Sequence, residues 1–184
     1  MGREALVIGG SGMLAEVSRW LAETGYHVTV VGRDRRRLER VAGCSGAVAP
    51  ESFTLLPLDY HDTEKLRQAL SHLLCERGSI DLVVAWIHST ASEALPAVIQ
   101  SLARQQREWR LFHVCGSRAW IEPPREPVAD HLLYRRIILG FVLEGNESRW
   151  LTNEEIAQGV IRAVRADQPS IVGVVEPWEK RPGY

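Results

Sequence analysis

The sequence predicts an α/β fold in which a doubly wound parallel sheet of about seven strands, in the order 3-2-1-4-5-6-7, carries helices on both faces. Three observations support this. Short apolar runs such as Ala5–Ile8 and Ile80–Ile87, the latter unbroken after Asp81, resemble strands buried on both faces, whereas the segments between such runs place apolar residues at helical spacing. Three glycines, Gly9, Gly10 and Gly12, separate the first run from the first helical segment. A chain of 184 residues can bury one good core and is too short for two full-sized domains, so residues 1–184 read as a single domain.

Each element follows from local pattern. Ala5–Ile8 is the first strand, and Leu14, Val17, Ser18, Leu21 and Ala22 then form one stripe of a helix. Gly25 is suited to cap that helix, and His27–Arg33 is a β-rich second strand. Ser52–Asp59 is a third strand, whose Pro57 points to an edge position. Asp62 can cap a helix with the stripe Leu66, Ala69, Leu70, Leu73 and Leu74. Ile80–Ile87 is the fourth strand. Leu95, Val98, Ile99 and Leu102 mark the next helix, with Pro96 in its first turn or kinking it. Trp109–Cys115 is the fifth strand, and a proline-rich connection, Glu122–Pro127, leads to a sixth at Ile137–Leu143. Thr152-x-x-Glu155 is a capping box opening a helix continued by Ile156, Val160 and Val164. Ile171–Val175 closes the sheet, and its end at Val174–Pro177 offers an edge for a second copy, hence a homo-oligomer.

Composition narrows the class of partner. A net charge of -1 with 45% hydrophobic residues describes an ordinary soluble protein, without the basic bias that nucleic acid requires. The chain enters a strand at once, without a basic region and a long apolar stretch, so the expectation is a cytoplasmic protein with no signal peptide and no membrane partner. Cys44, Cys75 and Cys115 are odd in number and widely spaced, which argues against both a disulfide framework and a zinc site. His113 and Cys115 share one face of the fifth strand and read as packed or cleft-lining residues, since no further metal ligands stand nearby.

The glycine cluster carries the chemistry. It can be parsed as Gly10-x-Gly12-x-x-Ala15 or as Gly9-x-x-Gly12-x-x-Ala15, and both put a small residue where helix and strand approach closely. Such a turn leaves the N–H groups at the helix start open to an anion, usually a pyrophosphate. The first strand-helix-strand unit closes in roughly thirty residues, as a dinucleotide-binding unit should. At the end of the second strand, where an NAD site carries Asp or Glu, stand Gly32 and Arg33. The glycine leaves room and the guanidinium can pair with a 2′-phosphate, which favours NADP(H) over NAD(H). Asp34 could still reach a ribose, while Arg35, Arg36 and Arg37 read mainly as the solvated first turn of the next helix.

Gly9–Ala15, Val31-Gly-Arg33, Leu58-Asp59, Leu82–Ala85 and Gly116-Ser117 together resemble successive landmarks of the short-chain dehydrogenase/reductase family, a Rossmann fold. The resemblance implies that Gly9, Gly10, Ser11, Gly12, Met13 and Leu14 hold the cofactor with Gly32 and Arg33, and that Asp59 contacts the adenine with Tyr60 beside it. Where catalytic members carry Asn-Asn-Ala-Gly, this chain has Trp86-Ile-His-Ser89, which puts Trp86 at the cofactor. Those members also pair a serine after the fifth strand with Tyr-x-x-x-Lys on a long helix. Ser117 fits the serine, and Tyr134 is the tyrosine of the right neighbourhood, but Ile138 stands in place of the lysine. Only Val128 to about Leu133 is left for helix, barely two turns at 1.5 Å per residue.

The catalytic candidates are therefore His88, Ser117 and Tyr134. His88 and Ser89 follow the fourth strand and Ser117 the fifth, which should put all three on the nicotinamide side of the cleft. His88 is an acid or base suited to neutral pH, or a loop histidine without chemistry. Ser117 can bind a carbonyl or merely cap the segment after it. Trp86, Trp120 and Trp150 could wall a substrate pocket, yet tryptophan more often simply packs, and the pattern assigns them no substrate role. Two functions stay open: an NADP(H)-dependent oxidoreductase with a nonstandard site, reducing a small carbonyl or imine with His88 or Tyr134 as proton donor, and a non-catalytic NADP(H)-binding sensor or assembly subunit.

Overall fold

The computed structural model describes residues 2–43 and 49–183, so Cys44 lies outside the described residues. Seven parallel strands form one sheet in the order β3-β2-β1-β4-β5-β6-β9. They are β1 (Arg3–Ile8), β2 (Tyr26–Gly32), β3 (Phe53–Pro57), β4 (Leu82–Trp86), β5 (Trp109–Cys115), β6 (Leu132–Leu139) and β9 (Ser170–Val172). The connecting helices are α1 (Ala15–Glu23), α2 (Arg35–Gly43), α3 (Thr63–Arg77), α4 (Ala94–Leu102) and α5 (Asn153–Ala166). The expected sheet is thus present, with β3 at one edge.

Alternation along the strands builds two core layers. Ala5, Val7, Val28, Val30, Leu82 and Val84 face the layer that includes Val17 and Leu21 of α1 and Val160 of α5. Leu6, Ile8, Val83 and Ala85 face Leu66 and Leu70 of α3 and Val98 of α4. Ala5 to Ile8 are fully buried, so β1 reads as an unbroken apolar run because both its faces are covered. Each such Leu, Ile or Val contributes about 1.5–3 kcal/mol through burial.

Three helix boundaries follow the sequence closely. Gly25, at φ 87, takes the left-handed position just past α1. The Asp62 side chain accepts the Lys65 N–H at the start of α3. At α5 the capping box is complete: Thr152 Oγ1 accepts from the Glu155 N–H and Glu155 Oε2 from the Thr152 N–H.

The structure departs from expectation beyond β5. No helix forms between β5 and β6: a 3-10 turn, Ser117–Trp120, gives way to an extended segment and then to β6, which begins at Leu132 instead of Ile137. Tyr134 therefore lies on a strand. Pro123, Pro124 and Pro127 explain the absent helix, because proline restrains both itself and the residue before it from helical backbone. The expected sixth strand also splits at Gly140, and Phe141–Glu144 (β7) folds back on Glu147–Trp150 (β8) as an antiparallel hairpin. The last strand is shorter than expected, since Gly173 turns at φ 75 and Val174 pairs with Phe141 through two 2.8 Å backbone hydrogen bonds. The Val174 backbone is therefore already paired within the chain.

Candidate functional site

The strand order reverses between β1 and β4, so the crevice of this open sheet falls at their carboxyl ends. Residues 9–14 form the turn there. Gly9 has φ 80, and a Cβ on it would also stand 2.8 Å from the Trp86 carbonyl oxygen. A Cβ on Gly10 would come within 2.9 Å of Val30, Ser18 and Val7, so this glycine lets α1 settle on the sheet. At Gly12 the space is open, with Gly9 O the nearest atom at 4.0 Å from an added Cβ. The N–H groups of Gly10, Ser11, Met13 and Leu14 make no backbone hydrogen bond among the described residues. Leu14 supplies no side-chain cap to α1, unlike Asp62 on α3 and Thr152 on α5. Open donors at the positive end of a helix dipole make a cradle for an anion.

The end of β2 borders the same turn. A Cβ on Gly32 would stand 2.7 Å from Ser11 Oγ, so the loop closes over this position only because no side chain is there. The Arg33 side chain is 72% exposed, with Asp59 Oδ2 at 4.0 Å. Asp34 is committed to α2, where its Oδ1 accepts the Arg37 N–H at 3.2 Å and its Oδ2 pairs with Arg37 Nε at 3.7 Å. Arg35 pairs with Glu39 at 3.0 Å. These pairings leave Arg33 as the cation beside the β2 terminus that stays out of the helix.

Beyond β3, Asp59 Oδ1 accepts the backbone N–H of His61 at 3.0 Å and lies 2.7 Å from its Nδ1. The backbone donor first, then the ring, hold the Asp59 carboxyl below its usual range, with Arg33 adding to the effect. The His61 ring stacks on Tyr60, with centroids 5.2 Å apart and planes at 18°. His61 Nε2 is 2.9 Å from Thr90 Oγ1, which is 2.9 Å from His88 Nδ1. Tyr60 Oη accepts from the His88 N–H at 3.4 Å. Sequence reasoning missed His61 and Thr90. The available clue for His61 was its place two residues after Asp59, where an aspartate can bond local backbone.

The cleft beyond β4 and β5 measures about 580 Å³, a size that admits a small substrate. Trp86, His88, Ser89, His113 and Cys115 line it, together with Arg118, Glu122 and Arg125 from the segment after β5. Trp86 crosses its floor from Gly9 to Gly116, whose added Cβ would meet the indole at 3.8 Å. His113 and Cys115 are thus cleft-lining, one of the two roles their spacing allowed. Burial, then Arg136, push the His113 imidazole down to about 4, and burial pushes the Cys115 thiol up to about 11. Both groups are neutral near pH 7.

The three catalytic candidates are not brought together. His88 is exposed at the cleft. Ser117 is not among the lining residues, because the chain bends into the 3-10 turn directly after Gly116 and buries it. Tyr134 lines a separate cavity of about 480 Å³ with Trp120, Arg136 and Ile171. Its hydroxyl lies 2.9 Å from His113 Nδ1 and accepts from Arg136 Nε at 3.4 Å. Arg136 and His113 thus both engage the Tyr134 hydroxyl, which holds it away from the cleft. Burial raises the Tyr134 phenol above its ordinary value.

No protein-family model matches the sequence, and no curated protein does. Solved structures do. A short-chain dehydrogenase/reductase from Serratia marcescens superposes with a TM-score of 0.68 at 16% identity, covering 95% of this chain and 96% of that one. The RhlG/NADP active-site complex of Pseudomonas aeruginosa gives 0.67 at 18%, covering 94% of each chain. A metagenomic short-chain oxidoreductase in complex with NADP gives 0.60 at 17%, covering 94% and 95%. The structural neighbours are short-chain dehydrogenases/reductases, and the fold is theirs. Among the described residues, no helix is long and apolar enough to cross a membrane.

Proposed function

We propose that this protein is an NADP(H)-dependent oxidoreductase of the short-chain type with a nonstandard active site, reducing a small carbonyl or imine. One observation carries the reading: the open N–H groups of Gly10, Ser11, Met13 and Leu14 share the sheet crevice with an exposed Arg33, whose ion pair to Asp59 is long at 4.0 Å, and with the cleft lined by His88. The four N–H groups suit a pyrophosphate, and Gly12 lets it approach. Arg33 suits a 2′-phosphate through two parallel hydrogen bonds. Asp59 and Tyr60 lie on the adenine side, and Trp86 forms the floor on the nicotinamide side. The cofactor, when bound, supplies a hydride to the substrate. His88 supplies the proton, since it lines the cleft while Tyr134 is engaged with His113 and Arg136. The similarity to folds solved with NADP supports the cofactor assignment.

The second reading, a non-catalytic NADP(H)-binding sensor or assembly subunit, draws on the seclusion of Ser117 and Tyr134 from the cleft. Both readings need the same cofactor site. Titration with NADPH and with NADH, followed by tryptophan fluorescence, tests it. NADPH should bind the more tightly, and Arg33→Ala should weaken NADPH by about 10- to 100-fold, the loss of a charged hydrogen-bonding partner, with NADH little changed. Failure of both nucleotides to bind would exclude both readings. A carbonyl-substrate screen of wild type and His88→Ala then separates enzyme from sensor: turnover dependent on His88 supports the first.

A further inference from the structure

A hydrogen-bonded chain runs from the adenine side of the crevice to the cleft. Asp59 Oδ1 is 2.7 Å from His61 Nδ1, His61 Nε2 is 2.9 Å from Thr90 Oγ1, and Thr90 Oγ1 is 2.9 Å from His88 Nδ1. The Thr90 backbone N–H also lies 3.3 Å from His88 Nδ1. That last contact assigns the rest. A backbone N–H only donates, so His88 Nδ1 is an acceptor and its ring proton sits on Nε2. The Thr90 hydroxyl has one hydrogen and gives it to His88 Nδ1, which leaves its oxygen to accept from His61 Nε2–H. His61 Nδ1–H donates to the Asp59 carboxylate. His61 thus bonds through two N–H groups, the pattern of an imidazolium held by a carboxylate.

We propose that Asp59, His61, Thr90 and His88 form a proton wire that delivers one proton to a substrate in the cleft, with His61 holding the charge and Thr90 passing it on. The proposal rests on the reductase reading of that cleft. With the cofactor bound to supply a hydride for the carbonyl carbon, His88 Nε2 would give its proton to the carbonyl oxygen. The Thr90 hydroxyl proton moves to His88 Nδ1, and the His61 Nε2 proton moves to Thr90 Oγ1. His88 ends neutral in its other tautomer, Thr90 ends as a hydroxyl donating to His61 Nε2, and His61 ends neutral with Nδ1–H still on Asp59. One proton has left the chain and His61 has lost one positive charge. In this discharged state the Thr90 N–H and the His88 Nδ1–H oppose each other, so the chain favours reloading. The His61 side chain is 39% exposed, which lets water recharge it.

Other charges meet the wire at both ends. Arg33 lies 4.0 Å from Asp59, and the Tyr60 ring and hydroxyl touch His61 and the His88 N–H. Across the cleft stand His113, Arg118, Glu122 and Arg125, with Glu122 bound to Arg118 at 2.9 Å. None of these groups bonds to His61 Nε2, Thr90 Oγ1 or a His88 ring nitrogen among the described residues. His61 and Thr90 are positioning residues on this view, acting through His88.

Long-range proton–nitrogen NMR of the imidazoles, recorded on the cofactor-free protein from pH 5 to 9, tests the wire. In wild type, His88 should carry its proton on Nε2 while His61 is charged and shift toward Nδ1–H with the midpoint of His61. Thr90→Val should separate the two transitions, and Thr90→Ser should restore them. A His88 curve identical in wild type and Thr90→Val would overturn the proposal, whatever the activity. Coupled histidines in a protein that binds no NADPH would instead sink the reductase reading, and with it delivery to a substrate, while leaving the proton path between the histidines.

Discussion

His113 shows how a single side chain is set by its neighbours. Its Nδ1 lies 2.9 Å from the Tyr134 hydroxyl, Arg136 donates to that hydroxyl, and Arg136 is itself fixed by the Pro124 carbonyl at 2.8 Å and by Glu126 at 3.4 Å. Because burial holds the folded imidazole near 4 while an unfolded one titrates near 6.5, the unfolded chain binds the extra proton between those values. The stability from neutral His113 is therefore complete above about pH 6.5 and is lost as the pH falls toward 4, by up to about 3 kcal/mol. Urea unfolding at pH 7.5 and 4.5 should show His113→Gln losing less stability over that interval than wild type. Equal losses would mean that other groups govern the acid limb. At this scale the sequence revealed Gly9–Leu14, Gly32 and Arg33 as a set because they are contiguous or lie at fixed offsets. It hid the His61–Thr90–His88 chain because those residues meet only when the loops that follow β3 and β4 reach each other across the ends of β2 and β1.

Helices here differ in how their first turns are satisfied. The Thr152 and Glu155 pair closes the start of α5, and Arg149 of β8 adds bonds of 2.9 and 3.0 Å to the Glu155 carboxylate. Thr152→Ala should cost about 1 kcal/mol in denaturant unfolding, a typical value for a lost cap. A negligible effect would assign the stability of this terminus to Arg149 instead. Elements with strong periodicity, α3 and β5 among them, were legible from sequence almost residue by residue. The β7–β8 hairpin was not, since Ile137–Leu143 reads as one apolar run. Its clue was Gly145-Asn146, a hairpin-turn pair, with Gly145 at φ 65. The shortening of the helix before β6 was legible as a shortage of residues, but its complete absence and the true start of β6 were not, because Leu132 to Arg136 alternate without a clear apolar face.

For the molecule as a whole, ligand binding and folding are linked. At a free NADPH concentration about 100 times its Kd, unfolding should cost about 2.7 kcal/mol more, which for a chain of this size raises Tm by about 5–10 °C. NADH at the same concentration should produce the smaller shift in a thermal melt. An equal shift with the two nucleotides would remove the role given to Arg33. The layered arrangement around β1 and β4 was legible because Ala5–Ile8 and Leu82–Ala85 are apolar on both faces.

The two borders of the sheet bear on how the folded protein behaves when crowded. β3 ends at Pro57, which has no N–H to offer a neighbour, and β9 spans three residues between Pro169 and Gly173. Neither border presents a long flat row of donors and acceptors, so concentrated native protein gains little by stacking strand on strand. The longer strand β6 is covered on its outer side by β9, so loss of β9 would expose the kind of border that invites strand-to-strand growth.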